Sequence, residues 1–441
     1  MTLHRKFAAV AAGALALTVA GQAYAQTEIQ WWHAMGGKLG EKVEAIAAGF
    51  NERQKEYKVV PVYKGNYTET MTGAIAAFRA KKQPHIVQVF EVGTATMMAA
   101  KGAVYPVYQL MKDSGAQFDP SVYLPSVTGY YTDTAGNMLS MPFNSSTPVL
   151  YYNKTQFAKA GLDPNSPPKT WPELGEAAKK LQAAGVACGF TTGWQSWVQI
   201  ENFSAWHNVP IGTKENGFAG LDTEFQINSP LHVRHIAQLA EWQKTKIFDY
   251  GGRRSDSAPK FYNQECAMYM NSSAALAGIK ANAKDFEFGV GMLPYWPDVK
   301  GAPQNSIIGG ATLWVLTGHK KAEYKGVADF FNYLSSAEVQ ADWHQFTGYL
   351  PITTAAYELT KQQGFYEANP GADVSIKQMT LNKPTPNSKG LRFGNFVQIR
   401  DIFNDELEAV WAGTKTAQEG LDTAVSRGND LLRKFEKENG S

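Results

Sequence analysis

Cysteine is nearly missing from this chain: Cys188 and Cys266 are the two found in 441 residues. That count excludes a disulfide-stapled scaffold and a four-ligand metal site built on thiolates. The pair fits one disulfide or two buried free thiols, and spacing leaves both open. Histidine is scarce too, eight in all, with no HExxH and no paired metal spacing. His232 and His235 share a helix face without nearby carboxylates, the pattern of a solvated surface pair. Net charge is close to absent. The chain carries 42 basic and 40 acidic side chains, and two of the basic ones, Arg5 and Lys6, lie at the extreme N-terminus. With no basic tract, nucleic acid and anionic membrane surfaces are excluded as partners. An anionic ligand must then be held by a local site rather than by a global field.

Catalytic templates are also missing. There is no GxSxG elbow, no GxxxxGK[ST] phosphate loop and no GxGxxG after a strand. Asp405 and Glu406 are adjacent carboxylates beside an apolar helical stripe, the spacing of a solvated face. No nucleophile–base pair stands out, no cofactor is implied, and there is neither an internal repeat nor a low-complexity tract.

What is present begins with a leader. Arg5 and Lys6 precede an apolar run, Phe7 to Val19, and Ala23-Tyr24-Ala25 supplies a small-x-small cleavage site. The run is short for a membrane span, and no later one reaches that length. Cleavage after Ala25 is expected to leave a soluble, exported chain beginning at Gln26, without a lipid-anchored cysteine. More than four hundred residues exceed what one core usually supports, which suggests two lobes.

The mature N-terminus alternates strand and helix. Ile29–His33, Val59–Tyr63 and His85–Phe90 read as strands. Between the first two, Leu39, Val43, Ile46, Ala47 and Phe50 recur at the helical period. This alternation predicts right-handed crossovers and a mostly parallel sheet covered on both faces. Tyr67 follows the second strand and Glu91 ends the third, positions facing the crevice at the carboxyl ends of an open sheet. Thr170/Glu173, Ser335/Glu338 and Thr416/Glu419 each have the spacing of a capping box. Phe288–Leu293 and the segment Thr347–Pro351 are expected to be interlobe strands.

The most informative stretch, Met141 to Lys154, MPFNSSTPVLYYNK, reads as a crossing between the two lobes. Asn144, Ser145, Ser146 and Thr147 sit directly ahead of an apolar strand. Uncharged donors and acceptors in such a cluster suit the wall of a wet cleft around a polyhydroxylated ligand. A turn or N-cap cluster is the plainer alternative. Trp194 and Trp197, in a Gly-flanked loop after a strand, offer flat apolar faces and indole N–H donors. Gly309 and Gly310 allow close approach of backbone N–H groups to an anion, or simply a tight turn. Arg400 could bind two phosphate oxygens in fork geometry, though alone it fits a surface salt bridge equally well.

EVGTATMMAAKG, PFNSSTPVLYYNK, GWQSWVQIENFSAW, NSIIGGATLW, WHQFTGYLPIT, NPGAD and KGLRFGN…QIR together resemble the periplasmic sn-glycerol-3-phosphate-binding proteins of ABC importers, within the extracellular solute-binding protein family 1. The likeness spans essentially the whole mature chain. It implies an α/β, two-lobe periplasmic-binding-protein fold of the maltose-binding type (type II), with three interlobe crossings and hinge closure on ligand. The implied lobes are 26–138 with 289–346, and 139–288 with 347–441. The implied ligand-binding residues are Tyr67, Glu91, Ser146, Trp194, Trp197, Ser272, Gly310, Tyr349 and Arg400, all of the expected type. Arg400, Ser146, Ser272 and the Gly310 N–H are expected on the phosphate, Glu91 on the glycerol hydroxyls, and the tryptophans over the carbon chain. The resemblance further implies a monomer that delivers sn-glycerol 3-phosphate to permease subunits and their ATPase. Glycerophosphodiesters are possible ligands. The alternatives are an oligosaccharide receptor of the same fold or a periplasmic glycerophosphodiester phosphodiesterase.

Overall fold

The computed structural model describes residues 26–440, so the expected leader lies outside the described residues. Within them ten strands form two sheets. In chain order they are β1 (Thr27–His33), β2 (Tyr57–Tyr63), β3 (Ile86–Phe90), β4 (Val104–Tyr105), β5 (Met141–Ser146), β6 (Pro148–Asn153), β7 (Cys188–Thr192), β8 (Cys266–Ser272), β9 (Phe288–Gly291) and β10 (Gly309–Leu316). The first sheet runs β2-β1-β3-β10-β4, with β5 also paired to β10; the second runs β7-β8-β6-β9.

Sequence pattern explains the first sheet. Ile29, Trp31 and His33 alternate inward along β1, and Val43, Ile46, Ala47 and Phe50 cover them from the helix Gly37–Arg53. β1 pairs in parallel with β2 and β3, as the strand–helix alternation predicts. The sheet is nonetheless mixed, because β10 runs antiparallel to β3, β4 and β5. β10 does not follow a local helical crossover; it arrives from the other lobe and enters reversed.

The crossings also differ from expectation. β5 belongs to the first sheet and β6 to the second, so the chain passes over at Thr147, inside the stretch Met141–Lys154 expected to cross but later than the implied lobe boundary ahead of residue 139. Phe288–Gly291 is no interlobe strand; it pairs with β6 inside the second sheet. Gln304 and Ile307 still bond to Trp206 and Asn202 of the second lobe, so the return comes at Ile308, just before β10. Tyr349 to Ile352 forms no strand. Thr353 still bridges Tyr123, and the third passage lies between it and the helix Val374–Met379, which packs on β6 through Gln378.

Four further details depart from or complete the sequence reading. The cysteines form a disulfide, joining in-register first residues of parallel β7 and β8 with Cα atoms 4.4 Å apart. His232 and His235 are buried, not solvated. His235 stacks on Phe203 with centroids 3.9 Å apart, and His232 lies between the hydroxyls of Ser204 and Ser229. Aromatic and hydroxyl partners from neighbouring elements satisfy those rings, a tertiary fact invisible in helical spacing. Glu406 is likewise buried, held by Lys415 and Arg427, while Asp405 reaches Arg253. The capping boxes at Thr170 and Thr416 form, but Ser335 instead ends the helix Lys321–Leu334.

Candidate functional site

All nine residues singled out in the sequence line one cavity of about 220 Å³ between the lobes. Each arrives by a definable route. Tyr67 opens the helix Tyr67–Arg79, fixed by a capping box between Asn66 and Glu69. Glu91 begins a 3₁₀ turn directly after β3, at the carboxyl edge of the first sheet. Ser146 and Ser272 are the last residues of β5 and β8, and Gly310 is the second of β10. Gly310 has φ +97°, and a Cβ there would sit 2.0 Å from the Asn144 carbonyl oxygen, so no other residue fits without rebuilding the strand.

Aromatic rings set the walls. Tyr67 stacks on Phe90 with centroids 5.2 Å apart, and its hydroxyl accepts from the Asn144 amide at 2.9 Å. Tyr349 stacks on Trp343 at 5.5 Å. Burial and the neighbouring Tyr349 push the Tyr67 phenol well above its ordinary range, so it remains a neutral hydrogen-bonding group. Trp197 is not in a loop; it starts a π-helical turn, Trp197–Asn202. Its ring packs against Gly309, and its Nε1–H is buried without a partner among the described residues. An orphaned donor on a cavity wall is available to a ligand.

The electrostatic centre is Arg400. On the helix Phe396–Trp411 it is 5 % exposed and bound by two carboxylates. Glu201 takes it fork to fork, at 2.9 Å from Nε and 2.6 Å from Nη2, and Glu91 accepts a further bond from Nη2 at 2.7 Å. Glu201 belongs to the same lobe as Arg400, whereas Glu91 reaches across the cleft. Burial opposes the guanidinium charge, but the two glutamates more than restore it, leaving Arg400 above its usual range. Burial raises the Glu201 carboxyl above the usual carboxylate range against the pull of Arg400.

Glu201 and Arg254 were not found by sequence reasoning. Glu201 is four residues past Trp197, a spacing that puts two side chains on one helical face and could have flagged it. Arg254 lines the same cavity, but nothing in GGRRSDS sets it apart from Arg253.

Two clusters among the described residues have the donor types for a metal. In the first, the cysteine sulfurs beside Asp249 are consumed by their disulfide. In the second, His85, His319 and Glu323, the His85 Nδ1 accepts from the Gln30 N–H. The proton of neutral His85 must then sit on Nε2, the atom that would have to offer a lone pair.

A cavity between two α/β lobes, with polar and aromatic side chains from both converging on it, defines a two-lobe solute-binding protein. The chain belongs to the bacterial extracellular solute-binding proteins, a family that matches residues 45–373. Among its relatives is the sn-glycerol-3-phosphate-binding periplasmic protein UgpB of Yersinia pseudotuberculosis serotype I, 58 % identical over 427 residues, covering 97 % of each chain. Among solved structures, UgpB from Mycobacterium tuberculosis in complex with glycerophosphocholine shares the fold, with TM-score 0.78 and 21 % identity over 93 % of this chain and 99 % of that one. A maltose-bound T. maritima protein aligns with TM-score 0.75 and 19 % identity over 92 % of this chain and 100 % of its own. The fold is therefore that of the maltose-binding type.

Proposed function

We propose that this chain is the substrate-binding component of an ABC importer. It captures sn-glycerol 3-phosphate, and glycerophosphodiesters such as glycerophosphocholine, between its lobes and hands them to permease subunits driven by an ATPase. It acts as a monomer in the periplasm after loss of a leader ending at Ala25, and it performs no chemistry on the ligand. The observation that carries this reading is the convergence of nine residues, from both lobes, on one cavity. Near-whole-length identity to a protein named for binding glycerol 3-phosphate supports the choice of ligand.

In this reading the hydroxyls of Ser146 and Ser272 and the Gly310 N–H meet phosphate oxygens, together with the Arg400 Nη1 edge that neither glutamate occupies. Glu91 accepts from glycerol hydroxyls, the Trp197 Nε1–H donates, and Trp194 covers the carbon chain. Closure about Thr147, Ile308 and the segment 354–373 traps the ligand.

Calorimetric titration with sn-glycerol 3-phosphate, glycerophosphocholine and maltose tests this. Heat from the two phosphates and none from maltose is the expected result. Binding of maltose alone would turn the reading to an oligosaccharide receptor. Release of choline from glycerophosphocholine on incubation would turn it to a phosphodiesterase.

A further inference from the structure

Arg400 leaves a charge problem that the cavity has to solve elsewhere. Glu91 alone cancels its charge, and with Glu201 ionised the trio is net negative. A phosphate monoester is close to a dianion at pH 7.5, its second ionisation lying near pH ~6. Of the residues lining the cavity, three carry charge: Glu91, Arg400 and Arg254.

We propose that Arg254 supplies the second positive charge, and that it makes the cleft favour a phosphate monoester over a diester. Resting on the receptor reading above, this names the residue that separates its two ligand classes.

Three observations support Arg254. First, it forms no ion pair among the described residues, whereas the adjacent Arg253 is committed to Glu408 and Asp405. Second, its backbone is held in a conformation rare for a side chain of this size, φ +55°. Its carbonyl accepts the Trp194 N–H at 2.7 Å, and Trp194 itself has φ +46°. Gly193 beside them leaves no space, because a Cβ there would lie 2.8 Å from the Arg254 carbonyl oxygen. Two strained residues clasped at a cavity wall fix the root of the arginine, and such strain concentrates at functional sites. Third, Arg254 also lines the adjoining cavity, together with Arg253, Asp256, Arg400, Asp401 and Glu408. The residue is exposed, and its side chain has no hydrogen-bond or ion-pair partner among the described residues. A long cation on an anchored root, beside an over-neutralised Arg400, is placed to meet the extra charge of a monoester.

The experiment is calorimetry on the mature chain, wild type against Arg254→Gln, with sn-glycerol 3-phosphate and glycerophosphocholine at pH 5 and pH 7.5. Wild-type affinity for the monoester should rise roughly tenfold over that interval as the dianion grows from about a tenth of the population to nearly all. Arg254→Gln should lose about tenfold for the monoester at pH 7.5 and flatten that rise, with diester binding changed less than about threefold. Arg254→Lys should retain most of the preference. The diester has no titration in this range, so it cancels any contribution from Glu91, Glu201, Asp256, Asp401 or Glu408. Unchanged monoester binding in Arg254→Gln, or equal losses for both ligands, would overturn the role of Arg254 alone. Wild type that binds neither phosphate would overturn the receptor reading and this inference with it.

Discussion

Arg400 keeps its charge in a place where burial works to remove it. Glu201 grips it from its own lobe and Glu91 from across the cleft, so the guanidinium is oriented before any ligand arrives. Removing Glu201 takes away two of the hydrogen bonds on Arg400 but leaves Glu91 to balance its charge, so the loss is that of charge-assisted bonds, roughly 1.5–3 kcal/mol. Glu201→Ala is accordingly expected to lower unfolding stability by that amount in urea titrations; a change within about 0.5 kcal/mol would mean that water already solvates the trio. Arg400 and Glu91 were legible through the short motifs around them. Glu201 was not, because its importance comes from a contact 199 positions away in sequence. Periodicity reports which face a residue shares, never what is brought opposite.

The start of β10 shows how an element imposes a residue. Gly309 lies against the Trp197 ring and Gly310 against the Asn144 carbonyl in a left-handed conformation. Gly310→Ala should cost roughly 1–3 kcal/mol from backbone conformation alone, before the steric conflict. It should also weaken ligand titration, because the displaced strand carries its N–H away from Ser146; unfolding curves and calorimetry on one sample separate the two effects. Elements with a strong local signature were readable in advance. The helix Trp171–Ala183 and its Thr170 cap follow from the Thr170/Glu173 capping spacing. The antiparallel entry of β10 was not readable, since strand direction is decided by a crossover through the other lobe. Ser335 failed as an N-cap for a related reason: it closes the helix Lys321–Leu334, the N-cap position falls to Ser336, and local sequence cannot rank two adjacent serines.

Across the whole molecule, burial of histidine sets the response to acid. His207 and His344 are held down to about 4 and His232 to about 3, while His235 lies well below its ordinary value, in each case chiefly through desolvation. These groups are neutral in the folded chain, but in the unfolded chain they take up protons below pH ~6.5. Their contribution to stability is therefore complete above that pH and is lost as pH falls toward about 4, by on the order of 1.4 kcal/mol per pH unit for each. Urea midpoints at pH 7.5, 6.0 and 5.0 should fall in that order; a flat series would show that the rings are wet. The two-lobe architecture itself was foreshadowed by chain length and by strand–helix alternation, and the first passage by the stretch Met141–Lys154 that contains it, whereas the second and third passages were misplaced. The second passage turns on a single residue, and the third runs through two short helices, Thr354–Gln362 and Phe365–Ala368, whose pattern does not set them apart from helices packed within a lobe.

The bond between Cys188 and Cys266 ties two strands that are brought together from 78 positions apart. Where thiols stay reduced, the second sheet must rely on its ladder and its packing alone; where an oxidant is at hand, the same fold gains a covalent rung. The molecule thus hardens in response to its surroundings, and material made under reductant should melt early until exposure to air or to a disulfide donor completes its maturation.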